Sequence, residues 1–178
     1  MVRAEAPVGT SLDQLALLVR PLEKIVQTLP KEELDNFTTV LGLQQQDPQD
    51  PFTRRGSHFA QINVYLTPES NRKRIAAQII DDLRKQTTAP PGLDRVSFER
   101  INTGPPTGKP VSVGIRARSY DKILPAVAEL KRILAEMDGV TDIGDSYTLG
   151  KKELRVNVNS AEAAAAGLSV ASIGNSVR

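Results

Sequence analysis

The chain has no cysteine, no tryptophan, one histidine and two methionines in its 178 residues. Without cysteine there is no disulfide framework, no thiolate metal site and no cysteine nucleophile. His58, lacking a second histidine or a cysteine partner, cannot anchor a zinc site of the common types. Aromatic residues reach only 4%, which disfavours a base-stacking surface of the kind that reads single-stranded RNA. No apolar run approaches the ~20 residues of a membrane-spanning helix. The opening Met1-Val2-Arg3-Ala4-Glu5 lacks the apolar region of a signal peptide.

Neither sign of charge dominates, since 23 Lys and Arg face 21 Asp and Glu for a net charge of +2. Arg72-Lys73-Arg74, Arg54-Arg55 and Lys151-Lys152 are short patches at loops or helix ends. A nucleic-acid binder concentrates its basic residues on one face, so these read as solvated surface.

What the sequence does contain is a repeated grammar of extended run, Ser or Thr, amphipathic helix and turn. Val2–Val8 is the first extended run. Ser11 and Gln14 have capping-box spacing, and Leu12, Leu15, Leu18, Val19, Leu22, Ile25, Val26 and Leu29 form one helical stripe. Pro21 inside the stripe predicts a kink or restart. Pro30 ends the helix, and a strand follows over Asp35–Leu43. In the next unit, Phe59–Leu66 is a strand, and Thr67-Pro68-Glu69 predicts a helix start. Ile75, Ile79 and Leu83 are its expected core face. Pro90-Pro91-Gly92 turns the chain into a strand over Arg95–Asn102.

This order gives β-α-β-β-α-β, the ferredoxin-like or split βαβ plan, over residues 1–104. The composition of Gly104-Pro105-Pro106-Thr107-Gly108 is that of a linker. Residues 105–178 start the plan again. Strands are expected over Pro110–Arg118, Val140–Tyr147 and Glu153–Asn159, with a helix from Ser119 to Met137. Ser160 caps a short helix closed by Gly167, and Ser169 opens another. The fold class is therefore α+β, with two consecutive ferredoxin-like subdomains, the second lacking its last strand. Both ends read as cut, as expected of an excised piece of a longer protein.

Enzymatic chemistry finds little support. Gly104–Pro110 fails as a phosphate loop, because a residue is missing between the glycines, Pro110 replaces the Ser or Thr, and a strand follows. Asp81-Asp82 and Asp142/Asp145 are more simply surface carboxylates than acid–base pairs. No serine has an evident His–Asp pair, although a Ser–Lys arrangement stays open. Phe98 and Tyr65 are the only aromatics placed to stack a base, and neither lies in an RNA-binding motif. Gly42–Ser57 stands apart. It is far too long for a hairpin turn and carries Phe52, Arg54 and Arg55. It reads either as a substrate-contacting loop or as a floppy insertion, exposed and mobile between two strands.

Pro105–Val111, Leu134–Ile143, Glu153–Asn159 and Ala164–Val170 together resemble RND (resistance–nodulation–division) efflux permeases of the hydrophobe/amphiphile, acriflavine-resistance type. A strand ending in Asn, an Ala-rich helical turn and Gly-Leu-Ser opening the next helix is a habitual phrase of that family. Arg3–Ser11 resembles its post-membrane strand and helix cap. The resemblance implies the periplasmic porter region of the second half of a permease, truncated before the docking domain, on the periplasmic side of the bacterial inner membrane. It implies hydrophobic or amphiphilic small-molecule substrates, a homotrimer, a periplasmic adaptor and an outer-membrane channel. Neither an enzyme activity, a cofactor nor nucleic acid is expected. The family's glycine- and aromatic-rich switch loop falls at Gly42–Ser57, with Gly42, Phe52, Arg54, Arg55 and Gly56 as candidate contacts. Here only Phe52 is aromatic. With only Met1 and Met137, export of copper or silver through methionine ligands is disfavoured. The rival readings are a stand-alone ferredoxin-like ligand- or RNA-binding module and an adaptor making only protein contacts.

Overall fold

The computed structural model describes residues 1–46, 48, 50–88, 90–101, 111–147, 150 and 156–177. Four strands form one antiparallel sheet: β1 (Val2–Glu5), β2 (Leu34–Gln44), β3 (Arg54–Leu66) and β4 (Arg95–Phe98). Their order is β2-β3-β1-β4. Helix α1 (Leu12–Gln27) joins β1 to β2, and α2 (Ala76–Gln86) joins β3 to β4. Each connection skips one strand, which is the split βαβ arrangement.

One core explains why both helices lie on the same face. Leu15, Val19, Leu22 and Val26 of α1, with Ile79 and Leu83 of α2, are buried with Val2, Ala4, Ala60, Ile62 and Phe98 of the sheet. The period-2 alternation of the strands meets the 3.6-residue period of the helices there. Burying each Leu or Ile contributes ~1.5–3 kcal/mol.

The start of α1 is the expected capping box: Ser11 Oγ accepts from Gln14 N and Gln14 Oε1 accepts from Ser11 N, both at 3.2 Å. Pro21 does not break the helix. It is exposed, and the bond its missing N–H forgoes is that to the carbonyl of Leu17, a residue on the solvent side, where the loss is least costly.

Helix α2 departs from the sequence reading. Thr67 does not cap it, because its hydroxyl donates 2.6 Å to the Glu32 carbonyl. Glu69–Asn71 forms only a 3-10 turn, and α2 begins at Ala76. Ile75 is consequently exposed at the helix boundary and not part of the core. Arg74 holds this connection down by pairing with Glu33, which is buried, and with Asp82. The Arg74 hydrogen bonds keep the Glu33 carboxyl below the usual carboxylate range.

Beyond the sheet, α3 (Tyr120–Ala135), α4 (Ser160–Ala165) and α5 (Val170–Val177) lie close to the predicted positions. Asn159, not Ser160, caps α4, its Oδ1 accepting from Ala161 N at 3.2 Å. Gly167 closes α4 at φ +69°. Ser169 opens α5 by accepting from Ser172 N at 3.0 Å.

The expected second sheet is not formed among the described residues: 111–118, 140–147 and 156–159 belong to no ladder. Part of that reading, at 110 and 153–155, and the boundary at 104 lie outside the described residues. Alternation marks an extended segment, but a strand exists only with a hydrogen-bonded neighbour. Asp142 also bends the chain at φ +55°, a conformation that interrupts an extended run. Its carboxylate accepts from Arg84 at 2.9 Å and, at 3.4 Å, from the Phe98 amide of edge strand β4. Arg95 Nη2 donates 2.9 Å to the Asp145 carbonyl, and Lys131 pairs with the Asp145 carboxylate.

Candidate functional site

The stretch expected to be a loop over Gly42–Ser57 is much shorter in the structure. Strand β2 continues to Gln44 and β3 begins at Arg54, leaving 45–53 as the connection. The ladder passes from Leu41↔Ala60 to Leu43↔Arg55, two positions on β2 against five on β3. The surplus makes a large irregular bulge in β3. Glycines absorb it, with Gly42 at φ +83° and Gly56 at φ +154°. Polar residues can form these strand ends because their partners come from other elements.

Arg54 is the clearest case. Its guanidinium lies 4.3 Å from the Phe59 ring centroid and forms a two-pronged pair with Glu5. Glu5 is itself 3.7 Å from Arg95. A planar guanidinium suits simultaneous stacking and bidentate pairing, so Arg54 fastens the strand end to β1.

Gly42, on β2 opposite the bulge, reverses the alternation of β2 at its positive φ. Thr39, ahead of it, reaches the helix side and donates 2.6 Å to Glu23 of α1. Past it, Leu43 joins Val40, Gln61 and Asn63 on the helix-free face, and Gln44 turns inward to near-complete burial. A one-position slip has this effect because strand side chains alternate. Gln44 Nε2 donates to the carbonyls of Ala4 and Ala60 at 3.0 and 3.1 Å. Gln61 Oε1 accepts from Gln45 N at 2.9 Å, and its Nε2 donates to Gln45 O at 2.8 Å.

Buried Asp50 organises the connection, accepting from the amides of Gln46 and Phe52 at 2.8 Å each. Its carbonyl accepts from Thr53 Oγ1 at 2.7 Å. The expectation of an exposed, mobile stretch is thus corrected at its base, which is buried and hydrogen-bonded. Its outer parts do face solvent: Phe52 is 55% exposed, and Arg55 is exposed.

Of the five sequence candidates, Gly42, Arg54 and Gly56 shape the strand ends, while Phe52 and Arg55 present groups outward. Gln44, Gln61 and Asp50 were not singled out by sequence. Two glycines inside otherwise strand-like runs were the available signal of a bulge. Beside the connection, Val40, Leu43, Gln45, Gln46, Pro48, Gln61 and Asn63 line a shallow groove of about 220 Å³. It contains carboxamides and aliphatic groups but no charged residue. A larger hollow of about 500 Å³ lies at the opposite end of the ribbon, by Leu34 and Thr67. It adjoins none of the candidates.

Phe98 packs into the helix-side core, so it cannot stack a base, whereas Tyr65 is half-exposed. Among the described residues no helix is long and apolar enough to cross a membrane, and no three His, Cys, Asp or Glu side chains cluster to hold a metal.

Curated protein sequences give no significant match. Two crystal forms of a heavy metal efflux pump share the fold at TM-scores of 0.64 and 0.63, with 20% and 19% sequence identity. The alignments cover 98% and 97% of this chain but 18% of each pump chain. The family model described as the AcrB/AcrD/AcrF family matches residues 1–178. Because that match runs the whole length of the sequence, the chain belongs to the AcrB/AcrD/AcrF family of RND efflux permeases.

Proposed function

We propose that this chain is a substrate-passage module on the periplasmic side of a proton-driven RND exporter of hydrophobic or amphiphilic small molecules. Residues 1–104 and 105–178 serve as consecutive porter subdomains, and the parent permease works as a homotrimer with a periplasmic adaptor and an outer-membrane channel. The observation that carries the reading is the far end of the β2–β3 ribbon. It runs past the β1 ladder, which stops at Glu5↔Phe59, and presents Phe52 and Arg55 from a fastened base. An aromatic ring offers adaptable apolar contact, and a guanidinium favours polar or anionic groups. The structural neighbours are heavy metal efflux pumps. Soft-metal ligation is disfavoured here because Met1 is buried in the sheet core and Met137 follows α3 alone.

The test is a susceptibility panel in cells carrying full-length permease variants at matched expression. Phe52→Ala and Arg55→Ala should each change export of some compounds and spare others. Arg54→Ala should lower folded protein and reduce export of all compounds together, since its partners are Glu5 and Phe59. No change in any compound for both Phe52→Ala and Arg55→Ala would remove this end of the ribbon from the transport path.

A further inference from the structure

Two glutamines at the root of the 45–53 connection use their carboxamides on backbone groups of other segments. Gln44, turned inward by the bulge, reaches β1 and β3 at once, donating to Ala4 O and Ala60 O. Its Oε1 is buried with no hydrogen-bond partner among the described residues. An apolar side chain of equal length would fill the same space without stranding an acceptor, so the amide's contribution is its two donors and not its bulk. Gln61, 4% exposed, supplies one acceptor and one donor to the two backbone groups of Gln45. It thereby reproduces a strand-pair contact one residue beyond the end of β2. Its Nε2 also donates 2.8 Å to Asn63 Oδ1, which fixes the carboxamide's orientation. Both assignments are unambiguous, because each Nε2 faces carbonyl oxygens and Gln61 Oε1 faces an N–H.

We propose that Gln44 and Gln61 are the positioning residues of this ribbon end, acting from two strands to hold the connection in one direction. Phe52 and Arg55 are then presented from a fixed wall and not from a swinging flap. The consequence for transport rests on the substrate-passage reading; the clamp itself does not.

The variant that separates donor chemistry from packing is Gln61→Glu. At neutral pH its carboxylate still accepts from Gln45 N but sets an oxygen against Gln45 O and Asn63 Oδ1. Amide exchange of Gln45, Gln46 and Phe52 in the purified chain should quicken at least tenfold, with Ile62 and Val19 unchanged. Burial against two oxygens raises the pKa of this carboxyl, and once the pH falls low enough to protonate it, the acid donates again. The Gln45 amide resonance should then return toward its wild-type position, as it would not in Gln61→Leu. Gln44→Met, which keeps the volume and removes the stranded oxygen, should loosen the same amides. Unchanged exchange at all three amides in both variants overturns the proposal. So does global loss of protection in both, which would make the two residues ordinary core. If Gln61→Glu loosens the connection while Phe52→Ala and Arg55→Ala leave export untouched, the clamp stands and the transport reading falls.

Discussion

Replacing Gly56 with Ala tests the bulge that shapes the ribbon end. The backbone there sits at φ +154°, and an added Cβ would meet His58 Cε1 at 2.8 Å and Nδ1 at 3.0 Å, with Phe59 Cδ2 at 3.4 Å. Holding a non-glycine residue in that region costs ~1–3 kcal/mol. The first two contacts require the His58 ring to move, giving up its packing on Phe59, whose centroid is 3.9 Å away. That ring pair is worth ~0.5–1.5 kcal/mol. Together the two contributions put the loss of stability at about 1.5–4.5 kcal/mol, measurable by urea denaturation as a lower midpoint at constant slope. At Gly42, φ is +83° and the new Cβ would meet only Leu12 Cδ2 at an ordinary 3.4 Å. Gly42→Ala should therefore carry the backbone cost alone, about 1–2 kcal/mol. The two terms separate in a double-mutant cycle. In the His58→Ala background, where the ring contact is already gone, Gly56→Ala should cost ~1 kcal/mol less, the share owed to the ring. A loss below ~0.5 kcal/mol for Gly56→Ala would refute the backbone argument, and an absence of coupling to His58 would refute the steric one.

Two further outcomes follow from other parts of the molecule. Leu22→Ala, in the core stripe of α1 at 2% exposure, should cost ~2–5 kcal/mol, whereas Ile75→Ala, at 50% exposure, should change stability by less than ~0.5 kcal/mol; equal losses in urea melts would contradict the observed start of α2. Hydrogen bonding from Lys131 holds the Asp145 carboxyl below its ordinary value. The contribution of its pairing with Lys131 of α3 is therefore complete at neutral pH and lost as the pH falls through the lowered value. The Tyr147 amide, which donates 2.9 Å to Asp145 Oδ1, should report that loss by NMR. Asp145→Asn should abolish the titration, and its persistence in the variant would assign it to another group.

The sequence was most legible where local signals and tertiary packing agree. Ser11 and Gln14 specified the start of α1, and its stripe identified Leu15, Val19, Leu22 and Val26 as core. Thr67 was misleading because its hydroxyl is claimed by Glu32, remote in sequence, and not by the helix that follows. Gln44, Arg54 and Arg55 have little intrinsic strand preference, so the ribbon looked shorter than it is. Their ladder depends on Glu5, Phe59 and the two-glycine bulge. At the candidate site, the outward exposure of Phe52 and Arg55 was readable from a polar, proline-containing stretch. The roles of Gln44 and Gln61 were not, since a reversed alternation decides which way each points.

Asp142 gives the edge of β4 an unusual mechanical character. A neighbouring strand would join the two parts of the chain through a ladder whose bonds are made and broken together. Here the contacts include a long amide bond and a partly exposed arginine on one carboxylate, and Arg95 adds a bond to a carbonyl. Partly exposed ion pairs of this kind are worth ~0–1 kcal/mol each. The joint can thus yield one contact at a time, with water taking each vacated place and no strand leaving the sheet. It behaves as a compliant seam along the edge of the sheet, held chiefly by charged groups.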